Sequence, residues 1–404
     1  MEHDEVSYWG SCPAEILITC FEYLAFTDLL ACTGVNPNWR VNADYWGKKS
    51  GQWRKMFKNG VLNKGLNFIQ RSNLDFRELY LNCRMWYSVH KAKVNLKHVY
   101  HLKGVQNIHV YRDSLIAVCK NSVKFYNLDA GTLIKEILET YIDYQETDYM
   151  VAKFTQRQSQ KHVSLYSKRN NETYESLGFG LCYIQKNRCY ITNAKNAVEY
   201  FECTAKNFLL RTLGRYYSSP KLLGALNIYE REMYIYTCKG DVYRRKCGDL
   251  AINRICTLDV PNPPGALDIP TEIFMTMFHK CSVVYGVKSK EKEKMVRNVD
   301  INGEEHLVLL YADLTCAVAH DDVLLLGFKD GKVGFVLVKK LWTTNDHTPV
   351  FHFYIQEVAK VKDVEPVQRL EVYETDSCHH VIVATKKNVF QVVISHADYE
   401  KVMI

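Results

Sequence analysis

The sequence lacks the features of several large protein classes. No apolar run in its 404 residues approaches the roughly 18 residues that a membrane-spanning helix needs, so we expect no membrane partner. The segment Met1–Glu5 is acidic and has no apolar core, which argues against a secretory signal. The fourteen cysteines show no paired spacing, and several lie in apolar runs, where a thiol packs as a small hydrophobe. We therefore expect a reducing compartment, the cytoplasm or the nucleus.

The chain also has only a small excess of positive over negative charge. The formal net charge of +7 is mild for this length, and no basic block typical of nucleic-acid-binding arms occurs. Acidic partners are weakly favoured, and nucleic acid is not indicated. With 47% hydrophobic and 24% charged residues, the composition is that of a folded protein of roughly two to three domains.

Patterns that support catalysis or cofactor binding are missing too. GFKDGK (327–332) has three residues between its glycines where a phosphate loop needs four, and Val333 replaces the magnesium-ligating Ser or Thr. Cys-His-His at 378–380 lacks the second ligand pair of a zinc site, so we expect a solvated turn there. His-Asp-Asp at 320–322 could suggest an acid/base pair, but neighbouring residues of a strand point to opposite faces and cannot act together. We expect these residues in a turn between strands. We predict no enzyme, no cofactor and no metal.

The chain changes its pattern near residue 93. Before that point apolar residues recur at helix spacing, and after it short apolar runs alternate with polar turns, as in β-proteins. Five of the six tryptophans lie in the first part: Trp9, Trp39, Trp46, Trp53 and Trp86. This shift marks a boundary between an all-α region and an all-β region.

The second part repeats a short hairpin pattern. Each copy is an apolar strand, a Lys, a tight turn of Asn, Gly or Asp, then Val and an aromatic residue. The copies are IAVCKNSVKFY (116–126), CYITNAKNAVEYF (189–201), YIYTCKGDVYRR (234–245), LLLGFKDGKVGF (324–335) and VIVATKKNVFQVV (381–393). Two of the intervals between successive copies are nearly twice as long as the others. Each of these should contain a degenerate copy, HVSLYS (162–167) in one and CSVVYGV (281–287) in the other. The mean spacing near 44 residues is typical of propeller blades with four strands each.

We therefore predict an all-β propeller over residues 94–404, with seven blades and with six or eight as open alternatives. The last blade ends on a return strand at 389–395 and lacks an outer strand, which 94–102 can supply to close the ring. Two separate β-sandwiches are the rival architecture. Neither the Trp-Asp nor the Gly-His dipeptide of WD-type repeats occurs, so the blade count is less certain than the architecture.

Residues 12–40, CPAEILITCFEYLAFTDLLACTGVNPNWR, predict three short helices. Pro13 suits the first helical position, Thr27-Asp28 can cap the second helix, and Asn36-Pro37 can start the third. One apolar stripe at helix spacing comprises Ile16, Leu17, Cys20, Phe21 and Leu24. About thirty residues cannot bury so many apolar side chains alone.

This segment resembles an F-box. The matching residues are Pro13, Glu15, Ile16, Leu17, Phe21, Tyr23, Leu24, Asp28, Leu29, Leu30, Val35, Asn36, Trp39 and Arg40, and Trp46 resembles the Trp that closes the motif. Cys12 and Cys20 replace the usual Leu and Ile but remain apolar, whereas Gly34 and Pro37 are less usual. The resemblance is close over about 40 residues, and residues 51–93 resemble, more loosely, the helical linker that joins an F-box to a propeller.

The resemblance implies a substrate-recognition subunit of an SCF-type ubiquitin ligase, with an F-box at 10–50, a helical linker at 51–93 and a substrate-binding propeller. Its partners would be a Skp-family adaptor, through it a cullin, and a protein substrate. The implied adaptor-binding residues are Pro13, Ile16, Leu17, Phe21, Leu24, Leu29, Leu30, Val35 and Trp39. From spacing alone, these side chains equally suit packing on the linker helices. A scaffold that binds the adaptor without directing degradation is the alternative function.

Basic residues on the propeller are the candidates for binding an acidic or phosphorylated substrate. Arg244, Arg245 and Lys246 form one such group, although an exposed outer strand would also explain this triplet. KSKEKEKMVR (288–297) is predicted to be a solvated loop between strands, with a partner contact as the alternative.

Overall fold

The computed structural model describes residues 8–55 and 76–396, except for 158–159, 179, 186, 194–196, 205–207, 216–222, 230–231, 238, 247–248, 250, 259–274, 278–281, 288–292, 321, 345 and 376–377. Its α-helices are α1 (Ala14–Phe21), α2 (Phe26–Cys32), α3 (Pro37–Lys49), α4 (Phe76–Trp86), α5 (Val338–Thr343) and α6 (Ile355–Val358). Short 3-10 turns span Tyr8–Ser11 and Val89–Lys91.

The first three helices form where the sequence predicts them, but the first residues of α1 and α2 differ from the predicted ones. Pro13 is the residue before α1 rather than its first residue, and α2 starts after Ala25 without a side-chain cap, so Thr27 and Asp28 lie within it. The start of α3 is as predicted, because the Asn36 side chain accepts a 2.9 Å hydrogen bond from the backbone N–H of Trp39.

Twenty-eight strands follow. The first fourteen are β1 (Lys93–His101), β2 (Val105–Tyr111), β3 (Ser114–Cys119), β4 (Val123–Asn127), β5 (Leu133–Ile137), β6 (Asp143–Glu146), β7 (Met150–Arg157), β8 (Gln160–Ser167), β9 (Thr173–Leu177), β10 (Cys182–Gln185), β11 (Arg188–Thr192), β12 (Ala197–Cys203), β13 (Phe208–Arg215) and β14 (Leu223–Tyr229). The others are β15 (Glu232–Thr237), β16 (Asp241–Arg245), β17 (Asn253–Thr257), β18 (Met275–Met277), β19 (Val283–Val287), β20 (Lys294–Val299), β21 (Glu305–Ala312), β22 (Leu314–His320), β23 (Val323–Phe328), β24 (Lys332–Leu337), β25 (Phe351–Tyr354), β26 (Arg369–Glu374), β27 (His379–Ala384) and β28 (Asn388–Ser395).

These strands form seven four-stranded sheets, which confirms the seven-blade all-β propeller. Each of the five repeated hairpin patterns is the second and third strand of one blade, as β3–β4 and β23–β24 illustrate. The degenerate copies lie in the two remaining blades, 162–167 in β8 of blade 2 and 283–287 in β19 of blade 5. GFKDGK is thus a hairpin turn, and Gly331 has the positive φ of 79° that such turns favour.

The ring is closed by the first strand of the chain. β1 pairs antiparallel with β28, from Lys93 opposite Ser395 to His101 opposite Asn388, and becomes the outer strand of blade 7. The last blade therefore combines three C-terminal strands with one strand that precedes blade 1. Pairing of this kind leaves no unpaired strand edge at the junction.

Blade 5 has a different strand order. Its strands lie in the order β18-β19-β21-β20, so the chain passes from the second position to the outermost one and returns through the third. As a result β19 and β21 are parallel, unlike the other described strand pairs. The charged run 288–297 lies at the connection between β19 and β20. Residues 288–292 lie outside the described part, and the end of the run belongs to β20 rather than to the predicted loop.

Four strands per blade give the propeller two distinct faces. We call the face with the turns between first and second strands proximal, and the face with the turns between second and third strands distal. The connections between blades also lie on the distal face, because each blade has an even number of strands. The helical region joins the proximal face, since α4 contacts Asp322 and Thr375, which follow the first strands of blades 6 and 7.

His109 on the inner strand β2 links three blades. Its Nε2 lies 2.7 Å from Asp143 Oδ1 of blade 2, and its Nδ1 lies 3.7 Å from Glu371 Oε1 of blade 7. Burial alone would lower the pKa of His109, but the two carboxylates raise it to about 9. The protonated imidazole therefore bridges the innermost strands on both sides of the closure point.

Replacing His109 should remove a pH-dependent part of the stability. A His whose pKa rises on folding stabilises the protein fully below its unfolded pKa of about 6.5, and this stabilisation is lost as the pH rises towards 9. We expect His109→Gln to lower the free energy of unfolding by up to about 3 kcal/mol near pH 6, with a smaller effect near pH 9. Urea denaturation at both pH values measures this difference.

His352→Gln is the matched control, because His352 is exposed on the outer strand of blade 6. It should change the stability little at either pH. A His109→Gln effect that stays constant or grows between pH 6 and pH 9 would contradict the charged bridge.

Candidate functional site

Helix α4 joins the helical region to the propeller and is buried nearly all round. Leu79, Tyr80 and Cys83 pack in the core of the N-terminal helices. Trp86 packs instead among residues of blades 6 and 7. A helix that is apolar on several faces is enclosed by protein. Helix α4 therefore belongs both to the core of the N-terminal helices and to the core of blades 6 and 7.

Arg77 fixes the other end of α4 to the N-terminal helices. Its guanidinium donates a 3.0 Å hydrogen bond to Thr33 Oγ1, and its Nε lies 3.2 Å from Asp44 Oδ1 on α3. Because Arg77 and Thr33 are both buried, this contact is shielded from solvent. The three N-terminal helices are therefore attached to α4 by polar as well as apolar contacts.

Trp86 is the anchor on the propeller side. Its ring is fully buried and stacks on His379, with centroids 4.0 Å apart and planes inclined by 22°. It also stacks near Phe335 of blade 6, and its indole N–H donates a 3.4 Å hydrogen bond to Glu374. The next residue, Tyr87, donates a 2.6 Å hydrogen bond to Asp322. The junction is thus filled by aromatic packing, and the donor groups of both Trp86 and Tyr87 find carboxylate acceptors.

A buried ionisable network surrounds this tryptophan. Glu374 Oε1 lies 2.9 Å from His320 Nε2 and 3.4 Å from His379 Nε2, and His379 Nδ1 lies 2.8 Å from His396 Nε2. Burial alone would raise the pKa of Glu374, but the two neighbouring histidines hold it well below its usual range. Burial lowers the pKa of His379, and it lowers that of His396 to about 3. The carboxylate is therefore ionised and held between two imidazoles.

This network corrects one expectation from the sequence and adds to another. His379 and His380 do not lie in a solvated turn: they begin β27 and are buried, His379 against Trp86. His320 ends β22 and Asp322 lies in the following turn, as expected for a blade turn, while Asp321 lies outside the described residues. What the 320–322 pattern did not reveal is that His320 is buried beside Glu374.

The residues predicted to bind an adaptor divide by burial. Leu17, Phe21 and Leu29 are buried in the core that the N-terminal helices share with α4, so they hold this region together. Three more, Leu24, Leu30 and Trp39, pack partly against the same core. In that core Gly47 permits close packing, since a Cβ there would lie 2.2 Å from the Trp53 ring.

Other members of the set face solvent. Ile16 is 51% exposed and Val35 is 56% exposed, and Pro13 is exposed as well. Tyr23, a further motif residue, is 84% exposed in the turn that ends α1. The helical region thus carries both its own core and an apolar surface, which we call the helical apolar surface: Pro13, Ile16, Cys20, Tyr23 and Val35.

The basic triplet at 244–246 lies at the end of β16, on the proximal face. Arg244 is buried and lies 3.6 Å from Glu304 and 4.0 Å from Glu232, while Arg245 donates a 3.0 Å hydrogen bond to a backbone carbonyl of blade 3. Only Lys246 of the three is exposed. Two of these side chains therefore stabilise contacts between blades.

One group in the described part of the chain has side chains of metal-binding type: Asp300, Glu304 and His306 of blade 5, whose ligand atoms lie within 4.8 Å of one another. Arg244 lies 3.6 Å from Glu304, so a cationic side chain already offsets part of the negative charge of this group. Asp300 also accepts hydrogen bonds from the backbone N–H groups of Asn302 and Glu304, as in a tight acidic turn. The arrangement fits an ionic cluster within the protein.

Comparison with known proteins finds only distant likenesses to solved structures. No family model and no curated protein matches the chain. Among solved structures, the designed protein Ika8 is 11% identical, with a TM-score of 0.45 over 73% of this chain and 97% of its own. The N-terminal domain of Nup159 is 9% identical, with a TM-score of 0.45 over 76% and 96%. A chain from a S. cerevisiae assembly of Dbp5 with Nup159, Gle1, IP6 and ADP is 10% identical, with a TM-score of 0.44 over 76% and 96%.

These likenesses are too distant to bear on activity or partners. None of the helices in the described part of the chain combines the length and apolar content that crossing a membrane requires. The candidate sites therefore rest on this chain's own surfaces, the helical apolar surface and the two propeller faces.

Removing the Trp86 ring should loosen the junction. Trp86→Ala leaves a cavity between blades 6 and 7 and deprives Glu374 of a donor, so we expect a loss of about 3–5 kcal/mol in the free energy of unfolding. Limited proteolysis should release the N-terminal helices faster while the propeller remains intact. Denaturation and cleavage rates together measure both effects.

Trp342→Ala provides the comparison, because this indole on α5 is only partly buried. It should lower stability less and leave the cleavage of the helical region unchanged. Equal effects of the two substitutions would argue against Trp86 as the anchor.

Proposed function

We propose that this protein is a noncatalytic receptor that binds a Skp-family adaptor through its N-terminal helices and a protein partner through its propeller, as in an SCF-type ubiquitin ligase. The supporting observation is the division of the motif residues. Leu17, Phe21 and Leu29 build the local core, while Ile16 and Val35 stay exposed on a folded, anchored unit. An apolar surface that stays exposed among the described residues is typical of a protein interface.

The attachment of the helices supports the same role. A receptor must hold its partner at a defined position relative to the adaptor, because proximity and orientation are its whole contribution to ubiquitin transfer. Here the two units share α4, and Trp86 locks that helix between blades 6 and 7. A propeller joined through a buried helix suits this positioning better than one joined by an exposed linker.

The propeller fits protein binding better than catalysis. Among the described residues, the histidine and carboxylate groups with shifted pKa values are engaged in contacts within a blade, between blades or at the α4 junction, as for Glu202 with Arg188, His109 with Asp143 and Glu374 with His320. Such groups stabilise the ring. We infer that the chain assembles other proteins and performs no chemistry itself.

The adaptor contact can be tested without disturbing the core. Ile16→Asp together with Val35→Asp places two charges on the helical apolar surface, and burying an unpaired carboxylate in an interface costs several kcal/mol. We expect capture of a purified Skp-family adaptor to weaken by about a hundredfold or more, with unchanged thermal unfolding. Substituting Leu17 or Leu29 would instead disrupt the helical core.

Leu138→Asp is the matched control, since Leu138 is 81% exposed but lies on the propeller. It should leave adaptor capture unchanged. If the double variant and the control bind the adaptor equally well, the helical apolar surface does not contact the adaptor and the F-box assignment fails.

Receptor and scaffold differ in what happens to the bound partner. For a receptor, proteins labelled by proximity to the Ile16→Asp/Val35→Asp variant should include some that also accumulate when the unsubstituted protein is depleted. For a scaffold, depletion should leave the abundance of every labelled protein unchanged. Quantitative proteomics of both experiments separates the two roles.

A further inference from the structure

The hairpin repeat places lysines on one face of the propeller. In each repeated pattern a Lys follows the second strand, and the turns between second and third strands all lie on the distal face. Lys120, Lys239, Lys329 and Lys386 occupy these turns in blades 1, 4, 6 and 7 and are exposed. Because the repeat places a Lys at the same turn of these blades, the lysines collect on the distal face.

In blades 6, 7 and 1 the distal loops form one hydrogen-bonded series. The backbone N–H of Gln368 donates to Ala384 O at 2.7 Å, which joins the loop after blade 6 to blade 7. Gly104 N donates to Lys386 O at 3.3 Å, and Lys120 N donates to Gly104 O at 3.1 Å, which joins blade 7 to blade 1. The lysines of these loops are therefore held on a continuous, ordered surface.

We call this surface the lysine arc and define it by residues 102–104, 120–122, 313, 329–332, 355–368 and 385–388. It contains eight lysines and five carboxylates. Lys387 lies 3.2 Å from Glu365 and 3.9 Å from Asp363. Six exposed lysines make no ion pair with another described residue: Lys103, Lys120, Lys329, Lys360, Lys362 and Lys386.

A pocket opens within the lysine arc, between blades 6 and 7. Its volume is about 250 Å³, with Ile355, Val361 and Phe390 among its apolar lining. Its charged lining combines Lys362 and Lys387 with Asp363 and Glu365, so the pocket itself carries no net charge. The volume lies below the range of about 300–1,000 Å³ typical of small-molecule sites. One bulky apolar side chain matches the pocket, and acidic residues on either side of it match the six lysines without ion pairs around it.

From these features we infer that the lysine arc binds an acidic protein segment and that the pocket holds one apolar side chain of that segment. Acidic residues on both sides of the anchor would face lysines of blades 7 and 1 on one side and of the 355–368 loop on the other. The inference takes from the proposed function only that the propeller binds a protein; the adaptor contact lies on the opposite side and plays no part in it.

A protein segment fits this surface better than the other polyanions do. The described residues of the arc include no exposed aromatic side chain on which a base could stack, as single-stranded nucleic acid requires, and Phe390 of the pocket is buried. Asp363 and Glu365 offset Lys362 and Lys387 in the pocket, so the pocket suits an apolar side chain better than a phosphate group. A concave pocket also matches a single side chain better than a membrane plane.

Fluorescence polarisation with the full chain tests the inference. The probes are a short Glu-rich peptide with one central Leu, the same peptide with Ser in place of Leu, vesicles containing an acidic lipid, and a DNA oligonucleotide. We expect the Leu peptide to bind most tightly, its affinity to fall with added salt, and the Ser peptide to bind about tenfold more weakly. Lys120→Glu with Lys386→Glu should weaken binding of the Leu peptide by about tenfold or more.

Lys339→Glu with Lys340→Glu is the matched control, because both lysines are exposed on α5, on the proximal face, and the change in net charge is the same. It should alter the affinity less than twofold, as a rough expectation. Equal weakening by both variants, tighter binding of vesicles or DNA, or no binding of the Leu peptide at low salt would each overturn the inference. Adaptor capture by the Lys120→Glu/Lys386→Glu variant should stay normal, so this outcome and that of the adaptor test are separate.

Discussion

The pairing of β1 with β28 is the contact on which the arrangement of the whole molecule depends. It closes the ring by adding an N-terminal strand to the last blade, and it also fixes where the preceding helices emerge. Because β1 runs from the proximal to the distal face, the residues before Lys93 must lie on the proximal side. The same strand therefore joins closure of the propeller to placement of the helical region.

Two buried polar groups reinforce this closure from different directions. His109 links the inner strands of blades 7, 1 and 2, and Glu374 lies between blade 6 and the Trp86 junction. Two histidines in these groups titrate in opposite directions: the pKa of His109 is raised to about 9, while that of His396 near Glu374 is lowered to about 3. His109 therefore keeps its bridge charged below about pH 9, whereas His396 stays neutral in the folded protein and reduces its stability below about pH 6.5, where the unfolded chain takes up the proton instead.

The sequence predicts those parts of the structure whose signals are local. A hairpin is complete within about a dozen residues, so its turn and alternating strands identified the blades, and Asn36 identified the start of α3. Burial at the helical region could not be predicted in the same way. Leu17 and Ile16 are neighbours with similar side chains, and only the packing of α3 and α4 with α1 in one core covers the first and leaves the second exposed. The junction likewise combines Trp86 with residues far along the chain, and no short pattern announces it.

The even number of strands in a blade explains why the two proposed binding surfaces lie at opposite ends. The chain enters all seven inner strands on the distal face and leaves blades 1 to 6 there, so any residue that recurs in the turn after the second strand appears on that face. The lysines of the hairpin repeat follow this rule, whereas Arg244 and Arg245 end a third strand and lie on the proximal face. The position of a basic residue within the blade repeat thus indicates whether it is available for binding better than its clustering in the sequence does. By this reasoning the dispersed lysines form the coherent surface, and the consecutive arginines hold neighbouring blades together.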